Sequence, residues 1–360
     1  MQEAANPAAA SNHGVSLNAT TSNKKISLGL QGGGTYGAFT WGVLDRLLQE
    51  ERLDVTSLSG VSAGAINAVV VADGWAHGGG REGARAALDR FWRALGGTAL
   101  FSPLQRTPAD HLAGGFTMSH SPFYHLMEMA GAMMGPVLEI PFTTNPLRHF
   151  LSTTIDFERV RACEELQVFV TATNVRTGRG KVFTRAEMDV QRVVASACLP
   201  TVFAAVEVEG ESYWDGSFAA NPPLAPLVEA GGAADLLIVQ INPIERSEMP
   251  RNVADISNRA NEIAFNTSFV REVNALLHTH GVPSEEGGAD MTFSPVRLHL
   301  VTANDFLTEL SVSSKFNAEM GYLQMLHDRG VAAAEQWLEA NLDDVGRRNT
   351  LDPAAVFRFG

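Results

Sequence analysis

Ile26-Ser27-Leu28-Gly29-Leu30-Gln31-Gly32-Gly33-Gly34 opens the ordered part of the chain, a short apolar strand running into a glycine turn. Thr35 to Gln49 then places Phe39, Val43, Leu44, Leu47 and Leu48 at helical spacing. The unit repeats at once. Leu53 to Leu58 reads as a strand, Ser59 to Gly64 as a turn, and Ala65 to Ala72 as the start of an apolar helix. Strand, turn and helix twice over predict an α/β fold, a three-layer sandwich around a largely parallel central sheet.

Working outward, Arg85 to Leu95 reads as a helix and Leu166 to Thr173 as a strand, with Gly180 to Thr184 as its hairpin partner. Val190 to Ala197 is a helix stopped by Pro200, Ser212 to Trp214 ends a strand, and Leu236 to Ile241 is a buried one. Val253 to His278 is a long amphipathic helix, Val296 to Val301 a strand, and Ser313 to Leu326 and Ala332 to Ala340 two further helices. Phe101 to Phe150 differs in character, holding Met118, Met127, Met129, Met133 and Met134 among repeated prolines. It reads as an insertion capping the core. Its methionines suit either core packing or a pliable acyl pocket, because thioethers adapt to varied apolar shapes. The expected organisation is a disordered tail over 1–25, a catalytic core over 26–230 with a cap or lid at 101–150, and a C-terminal α/β extension over 231–360 packed on the core.

Of the 360 residues, 45% are apolar and 19% charged, the balance of an ordinary globular protein. Two cysteines, Cys163 and Cys198, offer no disulfide framework, and a chain this long needs none. A formal charge of −13 opposes binding to nucleic acid, which needs a field of Lys and Arg. The lysines are Lys24, Lys25, Lys181 and Lys315, with no polybasic cluster to hold anionic lipid. No run of about 18 apolar residues occurs, and the first 23 residues lack the apolar core of a secretory signal. The expectation is a cytoplasmic protein with at most weak peripheral membrane contact.

Three short motifs carry the chemistry. Gly60-Val61-Ser62-Ala63-Gly64 is a G-x-S-x-G between an apolar strand and an apolar helix. A nucleophilic serine needs such a turn so that its hydroxyl projects alone, and the tight strand–helix contact favours small neighbours. The bland alternative is a glycine-lined turn with an incidental serine. Gly32-Gly33-Gly34-Thr35-Tyr36-Gly37 fits G-x-G-x-x-G after a strand. It reads as a dinucleotide cradle or as an oxyanion hole, whose exposed N–H groups receive the charge of a tetrahedral acyl intermediate. A dinucleotide site expects an acid closing the next strand, whereas Glu50, Glu51 and Asp54 come before or at its start. Trp214-Asp215-Gly216-Ser217 ends a strand, followed by Asn221-Pro222-Pro223. Asp215 is either a turn-forming Asp-Gly or a carboxylate that reaches a serine on a neighbouring strand end. Gly78 to Gly80 has no strand before it and reads as a surface loop.

In this order and spacing the motifs resemble the patatin-like phospholipase family, with Ala195-Ser196-Ala197-Cys198-Leu199-Pro200 similar to the family's Ser-Ala-rich helix end. The resemblance covers Ile26 to Pro223. Two positions depart from the pattern: Tyr36 stands where members often carry Arg, and Ser217 where Gly or Ala follows the Asp-Gly. The resemblance implies a patatin-like fold and a serine lipid acyl hydrolase, a phospholipase A, lysophospholipase or related esterase, acting on a lipid or other acyl ester with no metal or cofactor. Ser62 would be the nucleophile and Asp215 its proton acceptor. Gly33 and Gly34 would hold the oxyanion, with Gly32 shaping that turn, and Gly37, Gly60, Gly64 and Gly216 complete the motifs. An acyltransferase or an intracellular polyester or neutral-lipid esterase would use the same site. A Ser-Asp-His α/β-hydrolase would draw on His278, His280 or His299. An inactive scaffold would be expected to lose Ser62 or Asp215, and the chain has both.

Overall fold

The computed structural model describes residues 23–99, 104–114, 116–125, 146–200, 203–246, 249–250, 253–280 and 296–352. Its strands are β1 (Lys24–Leu30), β2 (Leu53–Gly60), β3 (Gln167–Asn174), β4 (Gly180–Thr184), β5 (Val206–Val208), β6 (Glu211–Trp214), β7 (Asp235–Gln240) and β8 (Arg297–Thr302). They form one mixed sheet in the order β5–β6–β3–β2–β1–β7–β8, with β4 paired to β3 off that path. The run from β3 to β8 is parallel, and β4, β5 and β6 add an antiparallel edge. Central β1 is buried without interruption from Ile26 to Leu30, as a strand covered on both faces must be.

Alternation along β7 divides the core. Leu237 and Val239 join the cluster beneath helices α1 (Gly37–Gln49), α2 (Ala63–Ala76), α3 (Arg81–Ala99), α4 (Pro146–Thr154) and α5 (Val190–Ser196). Leu236 and Ile238 face the other way, onto Phe269 and Val273 of helix α6 (Val253–His280). The result is the expected sandwich of helices, sheet and helices.

Helix α7 (Met320–Asn341) corrects the sequence reading, which leaves a break between two helices over 327–331. The helix is continuous, and Ser313 to Phe316 lies in a separate 3₁₀ turn. Gly330 sits inside it because α7 crosses α1 there with no side chain between them. A Cβ on Gly330 would overlap the Phe39 carbonyl, and one on Gly42 the His327 carbonyl. The hairpin strand β5 also escapes the sequence reading.

The described part of the 101–150 segment packs on the C-terminal region. The Met118 amide donates to Ser313 Oγ at 2.9 Å, and Arg106 pairs with Glu319 at 3.4 Å. Met127, Met129, Met133 and Met134 lie outside the described residues, as do residues 1–22 of the expected tail.

From β1 the chain steps to β2 and β3 on one side, and later returns to β7 on the other side of β1. An open α/β sheet presents its crevice at such a reversal, beyond the carboxyl ends of the strands. Gly32 follows β1 there, Ser62 follows β2, and Asn242 follows β7.

Candidate active site

Ser62 stands between β2 and α2 at φ 51°, ψ −124°, one of three non-glycine residues with positive φ among those described. Such a conformation costs on the order of 1–3 kcal/mol and survives only where the surroundings impose it. Here they do. A Cβ on Gly60 would come within 2.5 Å of the Gly64 carbonyl carbon, and one on Gly64 would overlap the Leu30 carbonyl. The turn is therefore as tight as backbone contact allows, and the G-x-S-x-G spacing is a steric requirement. The Ser62 amide donates to Ser196 Oγ at 3.0 Å, and Ser196 Oγ donates to the Thr171 carbonyl at 2.7 Å. Ser62 is half-buried and caps the 14-residue α2, whose dipole favours negative charge at this end.

The glycine turn lies against the serine. A Cβ on Gly32 would meet Ser62 Cβ at 2.8 Å and Ser217 Oγ at 2.9 Å. A Cβ on Gly37 would meet Ala63 Cβ at 2.7 Å, so α1 and α2 also start in contact. The three candidate oxyanion glycines differ. Buried Gly32 has already committed its N–H to Asn221 Oδ1 at 2.8 Å. The amides of Gly33, half-buried, and Gly34, exposed, have no acceptor among the described residues. Glycine is required at Gly34, where φ is +61° and a Cβ would lie 2.6 Å from the Lys315 carbonyl oxygen. Gly33 has φ 171°, extended backbone open to any residue.

Asp215 is buried beneath the serine. Its carboxylate accepts the Ser217 amide at 2.8 Å, its own amide donates to the Cys198 carbonyl at 2.8 Å, and its carbonyl accepts Thr173 Oγ1 at 2.8 Å. Burial pushes the carboxyl up from 3.8 to about 6, and hydrogen bonds from Ser217 and the Ser62 hydroxyl only partly offset it. Among the described residues no cation compensates the charge. A Cβ on Gly216 would overlap the Thr171 carbonyl, which explains the glycine after Asp215. Burial, with the same carboxylate second, lifts the Cys198 thiol to about 12.

Tyr36, at the position where the motif often has Arg, is buried with its hydroxyl 3.0 Å from Ser314 Oγ, and burial raises it to about 12. Positive charge arrives instead from the C-terminal region. Lys315 Nζ lies 5.4 Å from the Tyr36 ring centre and 3.0 Å from Glu262 Oε1. Burial raises the Glu262 carboxyl, but Lys315 and Arg246 outweigh it and bring it to about 2.

His299, a candidate third triad member, is engaged elsewhere. Its ring lies at β8, 3.0 Å from Asp235 Oδ1 and 2.8 Å from Thr350 Oγ1. Among the described residues no histidine bonds to Asp215. The side chains of His278 and His280 lie outside the described residues. Ser196, Asn221, Asn242 and Lys315 carry no motif signal of their own that assigns them to the site. Ser196 and Asn221 fall within stretches that the sequence reading quoted, but with no role assigned to them.

A family model for patatin-like phospholipases matches residues 28–228. No curated protein matches the chain in sequence. Among solved structures, VipD from Legionella pneumophila is similar at 14% identity over 84% of this chain and 67% of its own, with a TM-score of 0.36. ExoU, solved with SpcU from the type III secretion system of Pseudomonas aeruginosa, is similar at 16% identity over 88% of this chain, with a TM-score of 0.35. This chain covers 52% of the ExoU chain. The family match takes in both the serine elbow and the Asp215 turn and spans more than half of the sequence, and the chain belongs to the patatin-like phospholipase family of lipid acyl hydrolases.

Proposed function

We propose that the protein cleaves a long-chain acyl ester of a lipid with Ser62 as nucleophile, Asp215 as its base, and the amides of Gly33 and Gly34 as the oxyanion site. The observation that carries this reading is a buried carboxylate that lies close enough to the Ser62 hydroxyl to be influenced by it and has no cation beside it among the described residues. A base titrating near 6 is still ionised at neutral pH and holds a proton more readily than an ordinary aspartate, which suits general-base work.

Asp215 would take the Ser62 proton as the oxygen attacks the ester carbonyl. The charge that develops on the carbonyl oxygen would meet the Gly33 and Gly34 N–H groups and the positive end of α2. Asp215 would hand its proton to the departing alcohol, leaving an acyl-serine. Water, deprotonated by the same carboxylate, would then release the acid and restore Ser62. A second alcohol in place of water would make the enzyme a transferase on the same atoms. Among the described residues no helix is long and apolar enough to cross a membrane, so contact with a lipid surface through them would be peripheral.

The test combines a fluorophosphonate, whose P–O⁻ imitates the oxyanion, with product analysis. Mass spectrometry should find the adduct on Ser62 alone. Phospholipids labelled in each acyl chain should release free fatty acid, or transfer it to added glycerol, only while Ser62 is intact. An adduct on another residue, or undiminished acid release by Ser62→Ala, would overturn the assignment.

A further inference from the structure

The glycine turn is fixed from behind by residues beyond the family match. A trans peptide is planar, with its carbonyl and N–H pointing in opposite directions. The Gly32 carbonyl and the Gly33 N–H belong to one such peptide, so whatever grips the first aims the second. Asn242 grips it: Nδ2 donates to the Gly32 carbonyl oxygen at 2.6 Å and to Gln31 Oε1 at 3.2 Å. Asn242 is buried after β7, where its two amide orientations are equal in shape. The two acceptor oxygens at Nδ2 decide between them, and Lys315 reinforces the choice. Its Nζ, which can only donate, lies 3.4 Å from Asn242 Oδ1 and so holds Nδ2 toward the glycine turn. Glu262 anchors Lys315 at 3.0 Å and is itself held by Arg246 at 2.8 Å and Arg259 at 3.3 Å. The backbone of Lys315 closes the other side of the turn, against Gly34.

We infer that Asn242 and Lys315 are positioning residues for the oxyanion site, Lys315 steadying Asn242 and Asn242 aiming the Gly33 N–H at the acyl oxygen. The inference rests on the serine-based reading above and extends it into the C-terminal region, which would then supply part of the catalytic apparatus of the core. Neither residue touches substrate, and their effect is on the rate of forming the tetrahedral intermediate.

The experiment measures fluorophosphonate labelling of Ser62, kcat and KM on a long-chain ester, and melting temperature. Asn242→Asp keeps the shape but sets a carboxylate oxygen against the Gly32 carbonyl. It should lower kcat and the labelling rate about 100-fold, the scale of losing one oxyanion donor, with KM little changed. Lys315→Met should cost about tenfold in kcat, a fraction of a full donor's worth, and Lys315→Arg should restore most of it. A merely structural pair would shift the melting temperature and leave kcat per folded molecule alone. Asn242→Ser provides a second, smaller replacement if Asn242→Asp does not fold. Wild-type labelling rates in a folded Asn242 variant, or wild-type kcat in Lys315→Met, overturn the inference. A wild-type chain that never labels at Ser62 overturns the serine-based reading first, and this one with it.

Discussion

Two buried aspartates sit at opposite ends of the same sheet and are treated in opposite ways. Asp235, at the amino end of β7, accepts two bonds from Arg297 at 2.9 and 2.7 Å, one from the Gly346 amide at 2.8 Å, and contacts His299 at 3.0 Å. Burial raises its carboxyl, but His299, Arg297 and Gly346 outweigh that and hold it well below the ordinary carboxylate range. Asp215, at the carboxyl end of β6, has among the described residues only the amide and hydroxyl of Ser217 and the nearby hydroxyl of Ser62, and burial raises it to about 6. A saturated carboxylate is a fastener for the C-terminal segment. An undersaturated one stays ready to take a proton. On the proposed reading, deeper burial at Asp215 and the company each aspartate keeps separate chemistry from structure in one residue type.

The sharpest way to break the comparison is to neutralise each aspartate. Asp215→Asn should lose activity by about 10³–10⁴-fold, the scale for removing a member of a nucleophile–base unit, without loss of melting temperature. Unchanged turnover in that variant would remove Asp215 from the mechanism. Asp235→Ala should do the reverse. It strands Arg297 and His299, and removing one partner of a buried ion pair costs about 3–5 kcal/mol in urea unfolding. Its kcat per folded molecule should stay near wild type. A catalytic loss without unfolding would mean that the His299 cluster belongs to the chemistry.

The smallest effect is in pH dependence. kcat/KM should fall tenfold per pH unit below about 6 as Asp215 protonates. Stability should run the other way. The native carboxyl titrates above its unfolded value of 3.8, so the folded state binds the extra proton in between, and stability drains away as pH rises from 3.8 to about 6. Each pKa unit is worth about 1.4 kcal/mol, so up to about 3 kcal/mol is at stake, and Asp215→Asn should lack this drop. An acid limb near 4, with no stability difference between the two proteins, would place Asp215 in an ordinary solvated setting.

Steric requirements were legible in the sequence, and long-range polar contacts were not. Gly60, Gly64, Gly32 and Gly216 are glycines because backbone or Ser62 occupies the space a Cβ would take, and such demands leave fixed local spacings. Ser62 and Asp215 could be picked out by those neighbours. Asn221 and Asn242 reach Gly32 across 189 and 210 residues, and a single asparagine leaves no periodicity to read. The break expected over 327–331 fails for a related reason: Gly330 is set inside a continuous helix by the partner helix lying against it, which local spacing does not show. Gly33 was legible as an oxyanion donor beside Gly34, but not that its extended backbone leaves its N–H as the part the proposed site uses.

The place of β7 beside β1 also sets a timetable. The pairing of Ser27 through Leu30 with Leu236 through Val239 joins strands about two hundred residues apart, and Lys315 is later still. At about 5–20 residues per second of synthesis, the serine elbow and Asp215 emerge several seconds before the elements that seat the glycine turn. Until then β1 presents an open edge where β7 will pair. A nascent chain would therefore hold Ser62 and Asp215 before the glycine turn is seated, and the activity proposed for them would arrive only once Lys315 has been made.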